Sequence, residues 1–328
     1  MAALVDGVAP SSLCALQEVR CALDLGSGAT KMSTARFAQG RITEVILSRT
    51  EEILVREDVA RRPDNSIGPD VLAQVRRCVL EMLREARAAG AVKVAAVATA
   101  VYRTSENGDA FIRQLAAESG VPIQIVDQSL EGALGFYTAA ALAPPPPTHT
   151  HTPAPTILAW DSGGGSFQLS MGGQGEEVVG QEELLQYHGA CGSSTVFAWL
   201  LEIQGRDVAV AVTSNPASAR EVTLLEERII REGVLPPPPP WLRGVLPDVT
   251  LLVCFGGDTS AFKTASVATG KETWGVTDLD EALERLCGHT DDELRAQGHL
   301  QPAYVLPKLT LVRAVFRHVL PLTYADVC

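Results

Sequence analysis

No apolar run long enough to cross a bilayer occurs in this chain of 328 residues. The longest predominantly apolar stretch, Val94 to Tyr102, is far short of the roughly 20 residues a spanning helix needs. A basic, apolar leader is missing from the first residues, MAALVDGVAPSSLC, so neither a signal nor a transit peptide is expected. No dense Lys/Arg block occurs either, and 27 Lys+Arg against 39 Asp+Glu leave a net charge of −12. A nucleic-acid partner, which needs a basic footprint, is therefore not expected, nor is a membrane. The seven cysteines form no C-x-x-C, and no N-x-S/T sequon is present. Reduced thiols in a cytoplasmic protein are the expectation, without a zinc site.

What is present is a globular composition, 46% hydrophobic and 20% charged, in a chain long enough for two domains. Two proline runs, Pro144 to Pro147 and Pro236 to Pro240, read as stiff surface segments outside any core. The first divides the chain into an N-terminal lobe (1–143), a Pro-rich linker (144–155) and a C-terminal lobe (156–328). His149 and His151 beside it read as linker residues, since no other metal ligand is near in sequence.

Each half then shows an α/β order with a mixed sheet. In the first, strands are expected at Arg20 to Leu25, Lys31 to Phe37 and Arg41 to Leu47. A helix from Pro69 to Gly90, a strand Val92 to Ala98, a helix Asn107 to Ser119, a strand Pro122 to Val126 and a helix Ser129 to Leu142 follow. In the second, strands are expected at Thr156 to Asp161, Ser166 to Met171, Glu176 to Val179 and Val249 to Cys254. Helices are expected near Gly192 to Ile203, Pro216 to Glu232, Ser260 to Ala268, Leu279 to Leu286 and Val305 to Val319.

The two halves share a motif. Leu23-Asp24-Leu25-Gly26-Ser27-Gly28 and Trp160-Asp161-Ser162-Gly163-Gly164-Gly165 are each an apolar strand ending in Asp-x-Gly-x-Gly and turning into a second strand. Such repetition suggests a duplicated unit with the motifs facing one cleft. Glycines at a strand–turn–strand corner let backbone N–H groups approach a phosphate, and the preceding Asp can hold hydrated Mg²⁺. One corner alone reads as an ordinary tight turn; two matched corners favour phosphate binding. Neither a Walker lysine motif nor a G-x-G-x-x-G after a strand is present.

Taken together, Asp24-Leu25-Gly26-Ser27, Thr99-Ala100-Val101-Tyr102-Arg103 with Asn107, Glu131-Gly132-Ala133 and Asp161-Ser162-Gly163-Gly164-Gly165-Ser166 resemble the exopolyphosphatase/guanosine pentaphosphate phosphatase (Ppx/GppA) family. Phe255-Gly256-Gly257-Asp258-Thr259 looks like that family's later Gly-Gly-Thr turn. Leu306-Pro307-Lys308-Leu309 and Leu320 to Tyr324 look like its closing helix and strand. The resemblance covers nearly the whole chain from Arg20. It implies two similar ribonuclease-H-like lobes (the actin-like ATPase fold) around a central cleft. It also implies Mg²⁺-assisted release of terminal phosphate from polyphosphate or a phosphorylated guanosine nucleotide.

On this resemblance Glu131 takes the place of the catalytic glutamate that orients or deprotonates water, and Arg103 that of a phosphate clamp. Without it, Glu131 reads as a helix-start carboxylate and Arg103 as a surface ion pair. Asp24, Asp161 and Gln168 would hold metal. Gly26, Ser27, Lys31, Gly163, Gly164, Gly165, Ser166, Gly256 and Gly257 would hold phosphate. The chain departs from the family pattern at Gln168, where a Glu is usual, at Lys31, where an Arg is usual, at Ser129-Leu130 and in stopping at Cys328. A neutral amide brings a metal no charge and cannot act as a base. Two classes of function therefore stay open, a hydrolase and a weakened phosphate-chain or nucleotide sensor. A small-molecule kinase of the same fold would need an adenine pocket that the sequence does not reveal. A homodimer stays open.

Overall fold

The computed structural model describes residues 17–38, 41–143, 156–173, 184–244 and 249–320. Its first half opens with three antiparallel strands, β1 (Glu18–Leu25), β2 (Ala29–Ala38) and β3 (Arg41–Glu52). In β1 the alternation buries Cys21, Leu23 and Leu25 on one face and leaves Asp24 on the other. A short helix α1 (Val55–Ala60) leads to α2 (Pro69–Ala88). Pro69 starts α2 because its missing N–H costs nothing at the first turn. Val75, Cys78, Val79, Met82, Leu83 and Ala86 form the buried stripe of α2. Gly90, at φ 91°, turns the chain away after it. β4 (Lys93–Ala98), α3 (Ala100–Thr104), α4 (Gly108–Ser119), β5 (Ile123–Ile125) and α5 (Gln128–Leu142) complete this half.

The second half repeats the plan with β6 (Thr156–Ser162), β7 (Phe167–Gly173) and β8 (Leu185–Gly189). Helices α6 (Ser193–Ile203), α7 (Ala219–Arg228) and α8 (Pro240–Gly244) precede β9 (Val249–Phe255). Then come α9 (Ala261–Thr269), α10 (Val276–Leu286), α11 (Asp291–Ala296) and α12 (Val305–His318). Strand orders are β3-β2-β1-β4-β5 and β8-β7-β6-β9. In both sheets the first strand pairs antiparallel with the second and parallel with the fourth. The fold is therefore two mixed-sheet, ribonuclease-H-like lobes, each with its own core.

Register places the two aspartates alike. Asp24 lies opposite Lys31 of β2 and Val97 of β4. Asp161 lies opposite Gln168 of β7 and Phe255 of β9. Both stand at the carboxyl ends of parallel-paired strands, where open α/β sheets present their loops to ligands.

Beyond the short helices α1, α3, α8 and α11, which the sequence does not announce, three elements differ from expectation. The strand expected at Glu176 to Val179 falls outside the described residues, and the third strand of the second sheet is Leu185–Gly189. Gln186 and His188 give that strand an alternation too short to stand out from the polar loop before it. The helix expected from Pro216 begins only after Ser218, whose hydroxyl and Glu221 form a reciprocal cap. Helix α5, counted by sequence with the first half, packs against β6 and β7, with Phe136 and Ala139 buried among Ile157, Ala159 and Val253. The linker 144–155 lies outside the described residues. Pro236 to Pro240 are exposed or half-buried on the surface, touched through the Pro236 carbonyl by the Tyr187 hydroxyl at 2.9 Å.

Candidate active site

The two Gly-rich corners are built the same way. Gly26 N–H donates to Ala29 O and Gly163 N–H donates to Ser166 O, both at 3.0 Å. These two glycines close their hairpins, so their N–H groups are spent on the turn. Among the described residues the N–H groups of Ser27, Gly28, Gly164 and Gly165 have no backbone acceptor. None of these glycines has a positive φ. At Gly26 what requires glycine is space: a Cβ there would lie 2.8 Å from Ala29 O.

The corners meet across the lobes. A Cβ on Gly164 would lie 3.2 Å from Ser27 Cβ, and one on Gly165 would lie 3.8 Å from Ser27 Oγ. Behind the second corner, the N-terminus of α6 holds the turn, with Ser193 N–H on Gly163 O at 3.0 Å and Ser194 N–H on Gly164 O at 2.9 Å. The helix itself is expected from Gly192 in the sequence; its hold on the Gly163–Gly164 turn is a tertiary contact that the sequence does not show.

Glu131 arrives from a third direction. Asp127 caps α5 by accepting from Leu130 N–H at 2.8 Å, which sets Glu131 in the first turn. Gly132 and Gly135 let the helix approach the second sheet; a Cβ on Gly135 would lie 3.6 Å from Asp161 Cβ and 3.1 Å from the Phe255 ring. Arg103, from α3, donates to Val126 O and stands 3.5 Å from Glu131 Oε2. Glu131 Oε2 and Asp24 Oδ1 are buried with no hydrogen-bond partner. The Tyr102 hydroxyl, close enough to feel the Asp24 charge, is equally without one. Buried oxygens in this condition mark a place where water or a ligand belongs.

Gln168 is 1% exposed, and its amide donates to Ser166 Oγ at 3.1 Å. Lys31 is exposed and its charge acts on both Asp24 and Asp161. At the third turn, a Cβ on Gly256 would lie 2.4 Å from Ser260 Cβ, whereas one on Gly257 would meet nothing within 4 Å. A cavity of about 180 Å³ beside that turn is lined by Asp258, Lys263, His299 and Gln301. Asp24, Glu131 and Asp161 do not line that cavity; titratable groups converge instead around Glu131, on which Asp161, Arg103 and Asp24 all act. His188, missed from sequence, lies opposite Gln168 and feels the charges of Asp127 and Arg103.

Electrostatics follow from burial. Desolvation and then the Asp161 charge push Glu131 up to about 7, against the pull of Arg103. Desolvation pushes Asp161 up to about 6, opposed by Lys31 and aided by Asp24. Asp24 moves the same way, with Lys31 opposing. A carboxyl raised in the folded state holds a proton that the unfolded chain has released, so stability falls as pH rises between the two values. His188 and His299 are depressed by burial and contribute the opposite slope. A difference measurement isolates Glu131. In metal-free protein, the unfolding free energy of wild type minus that of Glu131→Gln should fall by about 1–3 kcal/mol from pH 4.5 to 7.5. Urea unfolding at four pH values checks this, and a flat difference would refute it.

The family model of the Ppx/GppA phosphatase family matches residues 35–181, a span holding Arg103, Glu131 and Asp161 to Gln168. No curated protein matches the chain. Among solved structures, a Ppx/GppA enzyme of Aquifex aeolicus is 15% identical, covering 95% of this chain and 96% of its own, with a TM-score of 0.65. An exopolyphosphatase of Cytophaga hutchinsonii is 14% identical over 94% and 93%, with a TM-score of 0.70. An exopolyphosphatase-like protein is 16% identical over 92% and 88%, with a TM-score of 0.66. At such identities the likeness shows the fold.

Proposed function

We propose, from the premise of a chain matching the Ppx/GppA phosphatase family over residues 35–181, that this protein is a phosphoanhydride hydrolase. Its substrate would be polyphosphate or a guanosine nucleotide with a terminal phosphoanhydride, and its nucleophile water. The observation that carries the reading is Glu131: a largely buried carboxylate, its Oε2 fully so, raised to near neutrality, beside Arg103 and within reach of the charges of both motif aspartates. A general base works best when its pKa lies near the working pH.

Among the described residues, no three His, Cys, Asp or Glu side chains cluster as a metal site. Asp24 and Asp161 offer two hard carboxylates, and Asp24 Oδ1 lacks a partner. That suits Mg²⁺, which takes one or two carboxylates and fills the rest with phosphate oxygens and water. Bound there, Mg²⁺ would neutralise charge on the phosphate chain. The free N–H groups of Ser27, Gly28, Gly164 and Gly165 would hold the terminal phosphate, with Lys31 and the Gly256–Gly257 turn along the chain. Glu131 would accept a proton from water as its oxygen bonds to phosphorus and the bridging P–O bond breaks. Arg103 would offset charge on the transferred group.

Phosphate release from long-chain polyphosphate, guanosine pentaphosphate and ATP, with and without Mg²⁺, tests the reading. Release from either of the first two, dependent on Mg²⁺, is expected. Release from none by folded protein overturns it and leaves a phosphate-chain sensor. Gln168→Glu puts a carboxylate opposite Asp161 and should lower the Mg²⁺ concentration for half-maximal rate about tenfold, since a hard cation gains a charged ligand. An unchanged Mg²⁺ dependence would exclude position 168 from the metal shell.

A further inference from the structure

Lys308 is only 3% exposed, although α12 around it is apolar: Leu306, Leu309, Leu311 and Val312 are fully buried. Taking an ammonium out of water costs several kcal/mol unless it is paired. Its Nζ donates to Thr259 O at 2.6 Å and to Gln301 Oε1 at 2.5 Å, and stands 5.2 Å from the centre of the Tyr304 ring. Gln301 in turn donates to Glu52, and the Tyr304 hydroxyl donates to Glu57. Both acceptors belong to the other lobe, at the end of β3 and in α1.

Each end of this cluster reaches a Gly-rich turn. In the first lobe, Ile53 N–H donates to Gly28 O at 3.1 Å and Arg56 N–H to Ser27 O at 3.0 Å. In the second, Thr259 follows Gly256–Gly257, and Tyr304 stacks on Phe197 at 4.5 Å. Phe197 lies in α6, whose first residues hold the Gly163 and Gly164 carbonyls. One polar cluster, buried at Lys308 and opening to the surface at Glu52, thus connects all three turns, and none of its side chains serves in the chemistry proposed above.

We propose that Lys308 and Tyr304 are positioning residues that latch the two lobes together and set the spacing of the phosphate-binding turns, and so the affinity for a phosphate chain. The ligand class rests on the reading above; the latch does not depend on hydrolysis. Burial lowers Lys308 to about 8, with Glu52 and Glu57 opposing, so the ammonium still carries its charge at neutral pH.

Hydrogen exchange on ligand-free protein tests the latch directly. In Lys308→Met, peptides covering 25–30 and 52–57 should exchange about tenfold faster, although the substitution lies in the other lobe. Tripolyphosphate, titrated by calorimetry, should bind about tenfold more weakly, the loss of one charged hydrogen bond. Lys308→Arg should recover part of that loss. Where turnover is measurable, KM should rise with kcat within twofold. Should Lys308→Met fail to fold, Tyr304→Phe and Glu57→Gln carry the test, each accelerating exchange at 25–30, with a double variant no worse than either single. Acceleration confined to 299–310 overturns the latch. Unchanged tripolyphosphate affinity in a folded variant, or no wild-type binding of it, overturns the link to affinity. Wild type that binds tripolyphosphate but releases no phosphate from any substrate would fail as a hydrolase while leaving the latch intact.

Discussion

Glu131→Gln should lower phosphate release by about 10²–10⁴-fold, the usual scale for a general base, while tripolyphosphate affinity stays within a few-fold. The amide keeps the size of the side chain and the packing of α5 on the second sheet. It cannot take a proton from water. The substitution also removes a carboxylate that Asp161 and Asp24 both repel, so binding of a polyanion has no reason to weaken. Steady-state kinetics with calorimetry on the same preparation separates the two effects. An unchanged rate would remove Glu131 from the chemistry; a parallel loss of binding would make it a structural residue. On the role proposed for Glu131, the wild-type rate should rise with pH along an acid limb at or below about 7, because only its ionised form would take the proton from water and a cation at the aspartates would favour ionisation.

The second large effect is expected at Gly192, which backs the Gly163–Gly165 corner. Its backbone is extended, at φ −139° and ψ −172°, which any residue adopts. Space is what it lacks: a Cβ there would lie 2.4 Å from Gly163 O and 2.6 Å from Gly164 C. Those neighbours are backbone, so no rotamer change relieves the overlap. Gly192→Ala should therefore push the Gly163–Gly165 corner out of line, costing about 1–3 kcal/mol of stability. Tripolyphosphate affinity should fall more than about tenfold, since N–H groups aimed at an anion lose value quickly with distance and angle. Gly257→Ala is the matched control. Its Cβ meets no protein atom within 4 Å, so stability should hold while the methyl would enter the phosphate path proposed above. Denaturant unfolding and calorimetry on both variants check this, and equal stability losses would contradict it.

Much of this protein is determined locally. Apolar alternation ending in Asp-x-Gly-x-Gly specifies a strand and its turn from neighbouring residues alone. The same pattern at Asp24 and Asp161 therefore marked both corners, and with them the duplicated α/β plan. Glu131 and Arg103 were reachable only through the resemblance of their flanks, since a carboxylate at a helix start and an arginine on a short helix are ordinary features. Tertiary structure decided the rest. It carried α5 onto the second sheet, because Gly132 and Gly135 let it lie close against β6 to β9. It put His188 opposite Gln168 and brought Glu52 and Glu57 to the surroundings of Lys308. It raised Glu131, a property of burial and of charges on other elements. Hydrophobic period and turn chemistry act over a few residues and can be read in order along a sequence; desolvation and Coulomb energy depend on which distant segments come together, and only the folded chain sets that.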